Sequence, residues 1–377
     1  MKSLKNYLIL IIFLFIQFNS YGQLVSKAKK DTVIQKFIEV NNKIYKFMQK
    51  APAPIITYST ETDWVFGLAK FSAFRLSKKD TISQPSSISG TVGFSLNNQA
   101  FLGIGNKFYF NENKYITTIE FRLEKFPRQF FGVGNEINVT SAMVTASYAY
   151  LNFILKRKIF KNIFAGFNYN YSDYFNIDYQ YDFLPVLNEA IGWNGGVASG
   201  FGITVEYDSR DNVYNAMKGY YLNFVSTHFS RNIGSDYDFN RYILDFRTYK
   251  TIFGNKVLAY QAYTQTNIGA IPFYLMSFMG GTERMRGYYE GQYRDKTIVD
   301  TQLEYRFPLF WLIGGVVYTS AGLIGPSYSE LAFDDLKYTV GGGIRLMVDQ
   351  KHKTNLRFDF GFGKNTVAMF FGFSEAF

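Results

Sequence analysis

The chain has no cysteine, which excludes disulfides, thiolate metal sites and a lipid-modified N-terminal cysteine. Histidine is almost as scarce. His228 and His352 are the only two, too few and too far apart in sequence to suggest a metal cluster or a catalytic triad. Beyond Ile16 no apolar run approaches the roughly 18 residues of a membrane-spanning helix. Nucleophile signatures fail as well: Gly372-Phe373-Ser374-Glu375-Ala376 begins like a nucleophile elbow but lacks the closing glycine, and His228 beside Thr227 and Ser230 has no second base or acid. Gly103-Ile104-Gly105-Asn106 and Gly132-Val133-Gly134-Asn135 precede no helix and so are not phosphate loops. The chain is therefore read as a non-enzyme with no cofactor and no metal.

Aromatic residues are what the chain has instead. They make up 19% of it, with 30 Tyr and 40 Phe, while the mean hydropathy is only -0.09. Many aromatics without long apolar runs suit a transmembrane β-barrel, where only alternate residues face lipid and Tyr and Phe form girdles at both interfaces. The N-terminus argues for export: Lys2 and Lys5 precede an apolar run from Tyr7 to Ile16 that leads into Asn19-Ser20-Tyr21-Gly22, so residues 1–22 read as a cleaved secretory signal. The net charge of +10 would suit nucleic acid in a protein that met any. In an exported chain it is assigned to lumen and loop chemistry, and to outer-membrane lipids and lipopolysaccharide.

Residues 23–62 are expected to be a periplasmic N-terminal segment. Asp31-Thr32 can cap an amphipathic helix with Val33, Phe37, Ile44 and Met48 on one side and lysines elsewhere, ended by Ala51-Pro52-Ala53-Pro54. Such a helix either lies on the membrane or packs on the barrel. From Asp63 to Phe377 the pattern has period two. Alternation and turn residues place strands at 63–75, 86–96, 99–110, 114–125, 142–155, 161–172, 200–209, 218–230, 238–250, 255–268, 274–280, 297–307, 311–322, 336–349, 354–363 and 367–376. The expected fold is all-β, a transmembrane antiparallel β-barrel of about sixteen strands in a Gram-negative outer membrane.

Side-chain parity then predicts the lumen. In 241–249, Arg241, Ile243, Asp245, Arg247 and Tyr249 share one face; in 356–363, Arg357, Asp359 and Gly361 alternate with phenylalanines. Opposite charges on one face imply ion pairs inside the barrel. The stretch 280–307 carries this furthest. It opens as a glycine-rich loop with Met285-Arg286-Gly287-Tyr288, then becomes a strand with Ile298, Asp300, Gln302, Glu304 and Arg306 on one face. At the other extreme, Phe371, Phe373 and Phe377 fall on a terminal strand that must meet the first one, because an open sheet edge cannot face lipid.

Several segments, in order, resemble the outer-membrane-protein-85 superfamily, the BamA-type or bacterial surface antigen barrels. They are residues 54–63, Asp208-Ser209-Arg210-Asp211 ahead of the Gly219-led strand, Met285-Arg286-Gly287-Tyr288, and residues 303–309. Ala216 stands where a proline is commoner in the family. The resemblance implies that the loop between strands eleven and twelve folds into the lumen and that Arg286 pairs there with carboxylates, Glu304 first, with Asp300 and Asp359 on the same wall. It also implies a departure, because the family pattern has Asp where this chain has Ser320. With only residues 23–62 ahead of the first strand, the chain resembles a member without periplasmic polypeptide-transport-associated domains.

The function implied is assistance to insertion, assembly or translocation of proteins at the outer membrane through a lateral seam. The alternative is a transport channel or accessory barrel without insertase activity. Partners would be client proteins or subunits of an assembly complex, with a homodimer left open and no nucleic acid.

Overall fold

The computed structural model describes residues 52–377, apart from 60–62, 78, 97–98, 136–141, 180–189, 311 and 351, together with Gln35, Lys36, Glu39, Val40 and Lys43 near the N-terminus. The signal peptide and nearly all of the expected N-terminal helix lie outside the described residues.

Eighteen strands follow one another: β1 Ala53–Ser59, β2 Asp63–Phe74, β3 Ser86–Ser95, β4 Ala100–Phe110, β5 Tyr115–Phe130, β6 Ala142–Phe160, β7 Ile163–Tyr179, β8 Gly196–Asp208 and β9 Gly219–Phe229, then β10 Phe239–Ile252, β11 Lys256–Gly269, β12 Ser277–Met279, β13 Tyr293–Asp295, β14 Thr297–Phe310, β15 Ile313–Gly325, β16 Lys337–Asp349, β17 Thr354–Gly363 and β18 Thr366–Phe373. Sixteen form one antiparallel sheet in sequence order, and β12 and β13 pair separately inside the β11–β14 connection. No helix among the described residues is long and apolar enough to cross a membrane, which says nothing about crossing by strands.

The sheet reaches the expected sixteen strands by a different set of segments. The strand expected at 274–280 is not in the wall, since only Ser277–Met279 is extended and it pairs with Tyr293–Asp295. Residues 53–59, expected within the N-terminal segment ahead of a first strand at 63–75, form the first wall strand themselves and pair with β2, Pro54 opposite Leu68. Proline lacks the N–H a central strand needs but is tolerated on an edge strand. The two shifts cancel, so the loop carrying Arg286 still falls between the eleventh and twelfth wall strands.

Alternation explains why these segments become strands of a membrane sheet. On β17, Phe358, Phe360 and Phe362 are each nearly half exposed on the outer face, while Arg357 and Asp359 are buried on the other. β14 does the same, with Val299 and Leu303 outside and Asp300, Gln302, Glu304 and Arg306 inside. A polar inner wall and a continuous apolar outer surface are at home in lipid, whereas so large an apolar patch is rare on a soluble monomer.

Short connections such as 111–114, 161–162 and 253–255 gather at one end, together with the start of β1 and the end of β18; the long connections at 180–195 and 270–296 are at the other. These are called the turn end and the loop end below. The lumen is filled where the 270–296 connection folds inward. Ile271, Phe273, Tyr274 and Leu275 pack on Phe130, Val144, Tyr174, Phe229 and Phe239 towards the loop end, and Met279, Met285, Tyr288 and Tyr293 pack on Ile298 and Ile324.

The two edges of the sheet, β1 and β18, share no backbone ladder among the described residues. The ends still meet through side chains: the rings of Phe71 on β2 and Phe373 on β18 stack with centroids 6.0 Å apart.

Candidate functional site

The loop reaches the wall because its backbone can approach very closely. Gly287 has φ +139°, and a Cβ there would lie 2.8 Å from the Phe362 carbonyl carbon; a Cβ on Gly361 would lie 2.3 Å from the Arg286 carbonyl oxygen. Only glycine fits both positions. Thr366 Oγ1 then donates to the Gly287 carbonyl at 2.6 Å, and Tyr288 Oη donates to the Tyr338 carbonyl at 3.1 Å while accepting from Lys364 N at 3.1 Å. Met285 and Tyr288 are buried in the loop's apolar cluster.

This docking aims Arg286 at the inner wall. Its guanidinium is fully buried, donates to Asp359 Oδ2 at 2.7 Å and to Glu304 Oε1, and lies 3.7 Å over the Tyr318 ring. Gln302 Oε1 is a third, longer contact at 3.4 Å. Of the acidic residues expected around Arg286, Glu304 and Asp359 are therefore on it. Asp300 is not: it pairs with Arg284, whose guanidinium lies 3.5 Å over the Tyr263 ring. The correction is one of register, since two loop arginines face two inward carboxylates of β14 and each takes its own.

The pair belongs to a larger network. Arg306 also binds Glu304, at 2.7 Å, and donates to the Phe377 carbonyl at 3.0 Å. Arg345 binds Asp359 at 2.5 Å and Glu375 at 2.7 Å, and Arg357 reaches Asp359 at 3.3 Å and the Thr282 carbonyl at 2.8 Å. Four buried guanidiniums thus share Glu304, Asp359 and Glu375. Gln302 extends the network sideways to Gln261 at 2.6 Å, and Gln261 to Asp245 at 2.8 Å. A buried ion pair offsets its desolvation only when its donors and acceptors are matched, and the sharing of carboxylates does much of this, while Arg286 Nε, Arg306 Nη1 and Arg357 Nε stay buried without a partner. Ser320, opposite Gln302 on β15, stands where the family pattern has a carboxylate, and its buried Oγ has no partner.

The residues of the Gly219 hairpin make a turn staple. Arg210 donates to both carboxylate oxygens of Asp208, at 2.9 and 2.7 Å, and lies 4.4 Å over the Tyr221 ring. Asp211 accepts from Met217 N and Lys218 N, and Gly219 at φ +110° leaves no room for a Cβ beside the Ser209 carbonyl.

Phe371, Phe373 and Phe377 do not share one strand. β18 ends at Phe373; Ser374 turns with φ 66°, and Phe377 is buried against Tyr249, with ring centroids 6.2 Å apart. The reason is Glu375, which Arg345 and Asn355 hold inside at 2.7 and 2.6 Å. Sequence reading left out Arg306, Arg345 and Glu375 as partners. Parity on their strands marks the two arginines as inward, whereas Glu375 sits past the strand end, where alternation no longer applies. A buried Lys156–Glu206 pair at 2.5 Å was legible only once β6 and β8 were brought together through β7. His228 lies on the outer face, its Nδ1 2.8 Å from Asn240 Oδ1.

An apolar outer face over a charged, loop-filled interior defines the chain as an outer-membrane β-barrel protein. Its sequence matches the Omp85 superfamily domain over residues 86–377, and the chain belongs to that superfamily. Among solved structures it is similar to BamA from Haemophilus ducreyi lacking POTRA domains 1-3, with a TM-score of 0.54 at 12% identity over 85% of this chain and 69% of that one. It also aligns with Pseudomonas aeruginosa OccK10 (OpdN), with a TM-score of 0.32 at 8% identity over 84% of this chain and 96% of that one. No curated protein matches.

Proposed function

We propose that this barrel assists the insertion, assembly or translocation of proteins at the outer membrane through a lateral seam between β1 and β18. The observation that carries the reading is the pair of sheet edges without a ladder between them among the described residues. An unpaired edge is a template for another strand, so a client can add to it through main-chain hydrogen bonds. The loop arginine braces the wall beside the seam, tying β14 to β17, the neighbour of β18, and the Phe71–Phe373 stack bridges the sheet's two ends. Partners are then client chains, or subunits of an assembly complex that deliver them.

The test is a panel of cysteine pairs across β1 and β18 in the otherwise cysteine-free chain. Oxidation is expected to reduce assembly of outer-membrane proteins, and reductant to restore it. Unchanged assembly with the seam locked would sink the proposal. A steady conductance in planar bilayers that survives the lock would favour a transport channel instead.

A further inference from the structure

Low in the lumen, Arg286, Arg306, Arg345 and Arg357 each meet a carboxylate. Towards the loop end the pattern breaks. A cavity of about 220 Å³ lies between the inward-folded loop and the upper parts of β5, β6 and β10, and four arginines line it: Arg122, Arg128, Arg241 and Arg294. Arg122 and Arg128 have local partners in Glu120 and Glu124. Arg241 and Arg294 have no carboxylate within ion-pairing distance among the described residues. Arg241 donates to Asn267 Oδ1 at 3.0 Å and the Leu275 carbonyl at 2.7 Å, and Arg294 donates to the Gly291 carbonyl at 3.2 Å.

Arg294 is held for a purpose other than filling space. Its backbone is fixed on both sides, by the β12–β13 pairing and by Gly134 N donating to its carbonyl at 2.7 Å. Its side chain is only 6% exposed and is flanked by the Phe130 and Phe278 rings, with centroids 4.9 and 5.1 Å away. Aromatic faces hold a guanidinium flat and leave its N–H edge to bind. Two partly or fully buried cations with no carboxylate in ion-pairing distance are costly unless an anion joins them.

We infer that this cavity is a binding site for a small oxyanion, a phosphate or carboxylate group of a solute entering from the loop end. Arg294 and Arg241 would be its charged anchors, and Glu290, the one carboxylate lining the cavity among the described residues, weakens it. A site with paired guanidinium forks recognises planar or tetrahedral oxyanions rather than neutral sugars.

The experiment is calorimetry on the full chain in detergent, with inorganic phosphate, glucuronate and glucose as separate titrants. Saturable binding of phosphate, glucuronate or both is expected, and none of glucose; which anion binds distinguishes the two sources. Arg294→Gln and Arg241→Gln should each weaken binding at least about tenfold, the scale of one charge-assisted hydrogen bond. Glu290→Gln should tighten it, a change in the opposite direction that a misfolded variant cannot produce. No saturable anion binding to the wild type, equal binding of glucose, or anion affinity unchanged in properly folded arginine variants each overturns the inference.

Discussion

Gly361 on β17 sits directly under the backbone of Arg286, so close that a Cβ would come within 2.3 Å of the Arg286 carbonyl oxygen. The ion pairs of Arg286 depend on this contact, because the loop delivers the guanidinium only if its backbone lies flat on the wall. Gly361→Ala is therefore expected to lift the loop and expose Arg284 and Arg286 to trypsin in the folded barrel. Gly90→Ala, whose Cβ would meet nothing within 4 Å, should leave the digest unchanged. Equal digests from the two variants would count against a docked loop.

Removing Arg286 leaves Glu304 and Asp359 buried with fewer partners. Breaking a buried pair from one side costs about 3–5 kcal/mol. Arg286→Ala should accordingly lower the temperature at which the barrel loses its folded mobility on gels. Arg286→Lys should recover only part of it, since an ammonium cannot fork between two carboxylates. Combining Arg286→Met with Glu304→Gln and Asp359→Asn should lower that temperature further than Arg286→Met alone, because Arg306, Arg345 and Arg357 then lose their shared carboxylates; a recovery instead would mean that the network is not held by charge matching.

Ser320 offers the reverse change. Its Oγ is buried without a partner, opposite Gln302, beside a cluster with more guanidiniums than carboxylates. Ser320→Asp is expected to raise thermal stability by on the order of 1 kcal/mol, the added pairing being partly offset by burial of the new charge. A fall in stability would show that the cluster is already balanced.

Phe71 and Phe373 make a side-chain contact between the sheet's two ends. An aromatic pair is worth about 0.5–1.5 kcal/mol beyond its buried area. Phe71→Ala should raise the rate at which single cysteines on β18 are labelled by a membrane-permeant thiol reagent, with little change for cysteines on β10. Uniform labelling changes would point to general loosening instead.

Asp80 gives a pH signature at the turn end. It accepts from Ser83 Oγ at 2.5 Å, from Ser83 N at 2.8 Å and from Glu112 N at 3.1 Å, tying the 75–85 connection to the β4–β5 turn. Those hydrogen bonds, the Ser83 side chain's first, hold its pKa down at about 2. A depressed carboxylate stabilises above its ordinary pKa and loses that contribution as pH falls through about 2. Asp80→Asn should therefore speed amide exchange in 79–83 at neutral pH, and the difference from wild type should shrink towards pH 2.

What the sequence by itself determined was parity: which residues of β10, β14 and β17 face inward, with Asp300, Glu304 and Asp359 among them, and that the outer face is apolar. Period-two alternation is local chemistry and needs no knowledge of neighbours. Pairing is not local, and there tertiary structure decided. Residues 274–280 are as apolar as a wall strand, yet the wall passes them by because β11 pairs directly with β14. Residues 53–59 carry Pro54, which suggests a break, yet an edge position accepts it. Asp300 and Glu304 are equivalent by parity; only the docked backbone of the loop, set by Gly287 against β17, assigns one to Arg284 and the other to Arg286. Phe377 left its strand because buried arginines drew Glu375 into the lumen, a long-range attraction that no local pattern encodes.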